Sequence, residues 1–332
     1  MDQCEVRLDS AEAAGTSSIR DGRAFGWEQV PVAILLSTYN GSAYLAEQLG
    51  SLLAQTHRRW TLFWRDDGST DDTIAIMVAF GEGPGAGRCV RSADDVHLGI
   101  TASFLALLRE VPDDHVAAFA DQDDVWLPHK LERGLIELGD PAASWPALYC
   151  ARQHLVDGSL NPLGLSPLLA RAPAFPAGLT QNVATGCTVM LNPAARRLIA
   201  DSRPPGSTLH DWWSYLLVGA AGGRLIADPE PVVLYRQHSR NAVGAPHSVL
   251  RRGLMALRRG PETFMMLFRL HVAELAAHAD ALSPQARADL ALLRASLQGN
   301  SLARLRALFR LPQLTRQTRL ETFLFRLWFL IG

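Results

Sequence analysis

The sequence predicts an α/β fold: a mainly parallel sheet with helices packed against it. Two observations carry that expectation. Between residues 30 and 121, apolar runs of strand length alternate four times with stretches whose apolar residues recur at helical spacing. Three of those runs end in polar or acidic loops, at Ser37–Asn40, Asp66–Asp67 and Asp121–Asp124. In a parallel sheet, ligands bind beyond the C-terminal strand ends, so these loops fall on one edge and outline a single site.

The elements follow in order. Residues 1–29 show no periodicity and read as a disordered leader. Val30–Leu36 is a buried-strand run, followed by a helix with Leu45, Leu49, Leu52 and Leu53 on one stripe. A second strand, Trp60–Trp64, leads into Arg65–Asp72, where Ser69 or Thr70 is the expected cap of a helix starting near Thr73. A third strand is expected near Arg88–Ser92, a helix over Ala102–Arg109, and a fourth strand that ends at Asp121. After Pro128 comes a helix over Lys130–Leu138. Residues 147–164 read as a hairpin of Leu148–Cys150 and Gln153–Val156 turned at Asp157-Gly158. Pro162–Pro176 breaks regular structure, Thr185–Leu191 reads as a strand, and Asn192-Pro193 starts a helix. Leu209–Trp213 opens a further helix, Trp213–Ala220, and the strand Val232–Tyr235 precedes Arg236–Asn241. There are no internal repeats.

Composition narrows the function. With 332 residues, 48% of them hydrophobic, the chain can bury one large core or two. A net charge of −1 argues against a general nucleic-acid binder. The charge is uneven: residues 251–332 hold 13 Arg against 5 acids, whereas residues 1–250 hold 19 basic and 28 acidic residues. Cys4, Cys89, Cys150 and Cys187 are scattered without a CxxC pair, which argues against a zinc or disulfide framework and for a reducing compartment. No signal-type apolar segment opens the chain, and no run reaches the 18 or so apolar residues of a membrane span. A cytoplasmic protein, at most peripheral on a membrane, is expected. Near the C-terminus, Leu320, Leu324, Leu327 and Ile331 form a helical stripe beside Arg316, Arg319 and Arg326. That stripe fits either a helix packed on the main domain or a monotopic anchor on an anionic membrane surface.

The chemistry is densest at Phe119–Trp126, which places three carboxylates in four residues directly after an apolar run. Such carboxylates repel by roughly 3 kcal/mol per pair at about 5 Å and an effective dielectric of about 20. A divalent cation with oxygen ligands, often one that also holds substrate phosphates, offsets such repulsion. A solvated acidic turn is the alternative. No Gly-x-Gly-x-x-Gly follows the first strand, and there is no Gly-x-x-x-x-Gly-Lys, so neither a dinucleotide fold nor a P-loop is expected.

Five motifs occur in order: Leu-Ser-Thr-Tyr-Asn-Gly (36–41), Arg-Asp-Asp-Gly-Ser-Thr-Asp (65–71), Ala-Asp-Gln-Asp-Asp-Val-Trp (120–126), His-Asp-Trp-Trp (210–213) and Gln-His-Ser-Arg-Asn (237–241). Singly they are weak, but the ordered set is specific. It resembles the inverting family 2 glycosyltransferases of the GT-A fold, and within them the bacterial rhamnosyltransferase-like enzymes of cell-surface polysaccharide synthesis. The resemblance covers residues 30–245. It implies a nucleotide-sugar half (30–127), an acceptor half (128–245) and an Arg-rich helical tail (246–332).

The resemblance implies roles. Thr38, Tyr39 and Asn40 would line the nucleoside pocket with Gly99, and Asp66 would accept the pyrimidine N3–H. Asp67 would join it or fix the turn. Asp121 would contact the ribose or the metal, and Asp123 would ligate Mg²⁺ or Mn²⁺ with His238, while Asp124 would be structural. Asp211 would be the general base, with a helix N-cap as its bland alternative. Gly186, Trp212 and Trp213 would face the acceptor or sugar, against tight strand packing for Gly186 and core packing for Trp213. Relatives often carry asparagine where His97 and Ser103 stand. The implied partners are a nucleotide-diphosphate sugar, with dTDP-rhamnose first and a UDP-glucose or UDP-galactose donor second, and a glycan or lipid-linked glycan acceptor. A metal-dependent phosphohydrolase is the rival from another class; it lacks the further histidines such His-Asp sites need.

Overall fold

The computed structural model describes residues 26–93, 96–238 and 249–332. Their centre is a nine-stranded sheet flanked by helices. Its first half is parallel. Strands β1 (Val32–Thr38), β2 (Trp60–Asp66), β3 (Cys89–Arg91) and β4 (Val116–Ala120) lie in the order β3-β2-β1-β4. β1 and β4 are buried almost throughout, which is why they read as unbroken apolar runs rather than alternating ones.

The second half mixes directions. β8 (Met190–Leu191) joins β4 antiparallel through Ala117↔Leu191 and Ala118↔Met190, and on its other side pairs β6 (Ala147–Val156) through the same two residues. β6 runs parallel to β9 (Arg224–Arg236), and β9 pairs antiparallel with the short β5 (Val125–Trp126). An edge strand, β7 (Pro162–Leu165), turns back on β6.

The helices of the first half are α1 (Leu45–Leu53), α2 (Thr73–Glu82), α3 (Ile100–Glu110) and α4 (Lys130–Leu138). Those of the second are α5 (Pro193–Ala200) and α6 (His210–Ala220), followed by α7 (Val249–Ala277), α8 (Pro284–Gln298), α9 (Ser301–Arg310) and α10 (Arg319–Ile331). Two apolar cores result, one on each face of the sheet. One gathers Ile34, Leu36, Leu49 and Trp126, and the other runs continuously from Leu35 and Phe119 through Trp213 to Phe268, Phe325 and Phe329.

Several local expectations change. The leader expected through residue 29 gives way earlier: Trp27–Gln29 form a 3₁₀ turn, with Trp27 against the His57 ring at 6.1 Å, while residues 1–25 lie outside the described part. Leu148–Cys150 and Gln153–Val156 are not two strands but one, β6, because the hairpin turn comes only at Asp157–Asn161. Within Thr185–Leu191, Gly186–Thr188 form a 3₁₀ turn and only Met190–Leu191 are strand. Neither Ser69 nor Thr70 caps α2; Asp71 accepts from the Thr73 N–H at 3.1 Å instead. Asn192 does cap α5, accepting from Ala195 N–H at 2.9 Å.

The tail packs on the domain, though not by the stripe that stood out. The buried face of α10 is Thr322, Phe325, Trp328 and Phe329, set against Phe264 and Phe268 of α7. Leu320, Leu327 and Ile331 face outward and Leu324 is half-buried. Among the described residues, no helix is long and apolar enough to cross a membrane.

Candidate active site

The ends of β1, β2 and β4 converge, and side chains lock their loops to one another. Thr38, fully buried, donates to Asp66 Oδ1 at 2.9 Å. Asp66 also takes the Ser69 hydroxyl at 2.6 Å and the N–H groups of Gly68 and Ser69 at 3.0 and 2.7 Å. It is the hub of a turn that Gly68 makes possible with φ +95°. Asn40 sits at φ +47°, and its side-chain Oδ1 accepts from Thr70 N–H at 2.8 Å. Thr38 and Asn40 thus turn inward. Tyr39 is the residue of the first loop with a free ring face, 52% exposed and 5.7 Å from the His97 ring.

Asp67 belongs to the scaffold, the turn-fixing alternative of the two. Its Oδ1 accepts from Arg65 and Leu98 N–H at 2.7 Å each and from Ser103 at 3.1 Å, and its Oδ2 from Gly99 N–H at 2.9 Å. These hydrogen bonds hold its carboxyl below the usual range against the opposing effect of burial. His97 Nδ1 donates to the Asp67 carbonyl at 2.7 Å, so His97 and Ser103, where relatives often carry asparagine, both serve this turn. Gly99, at φ +78°, heads α3 and presents its N–H to Asp67.

The acidic loop divides its labour. Gln122 clamps Tyr39, accepting from its N–H and donating to its carbonyl, both at 2.9 Å. Asp123 Oδ2 lies 2.7 Å from His238 Nε2, with both side chains largely buried, and the Tyr44 ring backs His238 at 5.0 Å. Asp124 is fully buried, accepts from Arg236 N–H at 3.0 Å, and sits with Cys187 beneath the loop. Burial, with Asp121 and Asp123 adding, pushes its carboxyl well up. Asp121 is pushed up to about 7 by burial, by Asp123 and by Asp211.

Asp211 enters from the other half, in the first turn of α6, whose N-cap is Leu209. Its Oδ2 accepts from Gly186 N–H at 3.0 Å, its Oδ1 from Trp212 N–H, and the Asn182 amide adds a further hydrogen bond. Burial outweighs these and raises its pKa to about 6. Beside it His210 is enclosed between Phe104 (3.9 Å, stacked) and Phe119 (4.7 Å, edge-on) and stays neutral, burial lowering its pKa to about 3.

Two expected acceptor contacts are corrected here. Gly186 is buried, and a Cβ there would come within 3.0 Å of His210 Nε2, so the glycine serves close packing rather than sugar approach. Trp213 is fully buried and donates to Ser202 at 2.7 Å: a core residue. Trp212 stays half-buried, its indole Nε1–H donated to Gly178 O at 2.8 Å. One turn beyond Asp211, Tyr215 lines a cavity of about 250 Å³ together with Gln181, Val183, Arg171 and Arg316.

Residues 33–191 match the family model for glycosyl transferase family 2. The chain carries a glycosyl transferase family 2 domain over that stretch. The dTDP-rhamnosyl transferase RfbG of Shigella flexneri is 25% identical to the glycosyltransferase over 227 residues, spanning 63% of this chain and 74% of that protein. S. aureus TarS in complex with UDP-GlcNAc superposes with a TM-score of 0.55 at 16% identity, over 79% of this chain and 71% of that one. The mannosyltransferase PcManGT of Pyrobaculum calidifontis, in complex with GDP-Man and Mn²⁺, gives 0.50 at 16% identity over 91% and 88%. Likeness at that identity speaks for the fold, which is the GT-A type.

The donor set of the glycosyltransferase suits a hard divalent cation. Asp123 and His238 already converge, and the raised Asp121 is a carboxylate whose ionisation a nearby cation would favour. A second group, Asp121, Asp124 and Cys187, brings ligand atoms within 4.8 Å of one another. It is the poorer fit: Asp124 and Cys187 are fully buried, Asp124 already gives Oδ1 to Arg236 N–H, and a neutral thiol does not suit Mg²⁺ or Mn²⁺.

Four contributors escaped the sequence reading. Arg236 is fully buried and donates to Asp123 O at 2.8 Å, to Gly158 O and to Glu47, while stacking on Tyr44 at 4.3 Å. Glu47 is the second and Asn182, beside Asp211, the third. Lys130, the fourth, is buried with Nζ over the Trp126 ring at 2.9 Å. Being the chain's single lysine was the one cue to it.

The Gln122 clamp yields a prediction. A Cβ on Gly41 would lie 2.2 Å from Gln122 Oε1, so Gly41→Ala displaces the amide from Tyr39. Losing those two hydrogen bonds should cost about 1–2 kcal/mol in chemical denaturation. In a cycle with Gln122→Ala the two losses should not add; full additivity would show that the clamp is not what Gly41 protects.

Proposed function

We propose that the chain is a metal-dependent inverting glycosyltransferase that moves a sugar from a nucleotide-diphosphate donor to a growing cell-surface glycan, the sugar being L-rhamnose from dTDP-rhamnose. The observation that carries the reading is the meeting of two halves at one acidic centre. Asp121 is raised both by Asp123, from the nucleotide side, and by Asp211, from the acceptor side. The likeness to RfbG supports the rhamnose assignment, and a UDP-hexose donor on the same fold is the second reading, supported by the likeness to TarS in complex with UDP-GlcNAc. The acceptor reading includes a glycan carried on a lipid, with the C-terminal helices touching the membrane surface.

In this mechanism Tyr39 offers its exposed ring to the base. Asp66 receives the pyrimidine N3–H at Oδ1, where the hydroxyls of Thr38 and Ser69 can rotate away. Asp123 and His238, with Asp121 beside them, would hold a divalent cation, which would supply counter-charge for the departing diphosphate. Asp211 accepts the proton of the acceptor hydroxyl as its oxygen bonds to the anomeric carbon and the bond from that carbon to the diphosphate oxygen breaks. Asn182, Gly186 N–H and Trp212 N–H fix the direction of the Asp211 carboxylate, and His210 keeps its surroundings uncharged.

Donor identity is read by thermal stability with dTDP, UDP, GDP and NAD, each with and without Mn²⁺. Bound ligand stabilises by RT ln(1 + [L]/Kd), about 2.7 kcal/mol at 100 Kd. The largest metal-dependent shift should come with dTDP; a larger shift with UDP moves the assignment to a UDP-hexose, and no shift with any nucleotide removes the donor reading.

Asp123→Ala should abolish the metal-dependent part of nucleotide binding; unchanged binding would clear Asp123 of metal ligation. Asp211→Asn should reduce transfer by about 100- to 10,000-fold while nucleotide still binds. Because the base must be ionised and burial raises its pKa to about 6, wild-type turnover should fall as pH drops through that value, roughly tenfold per unit. A rate independent of pH between 7 and 5 would sink Asp211 as the base.

A further inference from the structure

The face of the tail turned away from the core is neither polar nor acidic. On α9, Leu302, Leu305 and Phe309 are exposed at i, i+3, i+7 spacing, opposite the buried Ala307 and Leu308. On the adjacent α10, Leu320, Phe323, Leu327 and Ile331 are exposed at i, i+3, i+7, i+11, opposite the buried Phe325, Trp328 and Phe329. Phe309 is 78% exposed and Phe323 63%. Single exposed apolar residues are ordinary, but two parallel stripes on neighbouring helices are a surface that asks for a partner.

The charge around them says which partner. Residues 301–332 hold six arginines and one acid, Glu321. That acid is engaged in the capping box of α10, its carboxylate taken by Thr318 N–H at 3.2 Å and the Thr318 hydroxyl at 3.0 Å. Arg306, Arg310 and Arg319 are exposed beside the stripes. A second copy of so cationic a face would repel the first. An apolar stripe edged by arginines is instead complementary to a bilayer with anionic headgroups.

We propose that the outward face of α9 and α10 docks the enzyme on an anionic lipid surface, with Phe309, Phe323 and Leu327 entering the headgroup boundary and Arg306, Arg310 and Arg319 contacting lipid phosphates. The loop between these helices, residues 311–318, supplies Pro312, Thr315 and Arg316 to the cavity one turn from Asp211. Docking would therefore bring this cavity towards the lipid–water boundary, on the side from which a lipid-borne glycan would approach. The proposal deepens the acceptor side of the proposed function and rests on it only for that consequence; vesicle binding reads the surface without any transfer step.

The test is co-sedimentation of the full chain with phosphatidylcholine vesicles and with vesicles rich in phosphatidylglycerol. Binding is expected to the anionic vesicles, reversed by salt. Phe309→Ser with Phe323→Ser should lower it tenfold or more, and each of Arg306→Gln, Arg310→Gln and Arg319→Gln about fivefold. Thermal melts of the variants should match wild type, because all five side chains are exposed. No binding to anionic vesicles, binding indifferent to both sets of variants, or a wild-type dimer that the phenylalanine pair converts to monomer would each overturn the proposal.

Discussion

The site depends on one buried guanidinium. Arg236 ends the longest strand of the sheet, and from there it reaches the Asp123 carbonyl, the Gly158 carbonyl, the Glu47 carboxylate and the Tyr44 ring, while its backbone N–H holds Asp124. Those groups come from the acidic loop, the β6–β7 turn and the segment entering α1, parts of the chain far apart in sequence. Arg236 is itself buried while its carboxylate partner Glu47 is half-exposed, so the anchor acts chiefly through the hydrogen bonds that converge on the guanidinium. The orientation of the Asp123–His238 pair is a consequence of that anchor rather than of the acidic loop itself.

The same logic runs through the first half. Carboxylates that look like ligands in sequence are split into two classes by burial and by what already binds them. Asp67 and Asp124 are consumed inside, as the organisers of the Val96–Gly99 segment and of the acidic loop. Asp121, Asp123 and Asp211 keep unusual electrostatics or an exposed edge at the cleft. Structural carboxylates thereby hold the working ones close together in spite of their repulsion.

Much of this was legible in the sequence, and the reasons differ by element. Strands β1, β2 and β4 are buried on both sides, so their apolar runs and polar ends identified them together with the site edge. Asp211 was legible through its motif, and its raised pKa only through burial. The second half was read less well for physical reasons. β6 is long and only half-buried in its middle, at Ala151, Arg152 and His154, so its pattern broke there, and β8 has two residues, too few for any period. The α10 stripe was visible, but periodicity alone does not say which of two apolar faces is inside; Phe325, Trp328 and Phe329 won because the aromatic rings of α7 receive them. Arg236 carried no signal beyond its place after a strand, since its partners lie up to 189 residues away.

The two-residue strand β8 has a consequence of its own. Among the described residues, Met190 and Leu191 are the strand residues that pair on both sides, with β4 and with β6. A ladder of that width could not hold the two sets of strands together by backbone pairing alone. The continuous apolar core and the Arg236 contacts cross the same boundary, so the two sets form one cooperative unit rather than interchangeable modules.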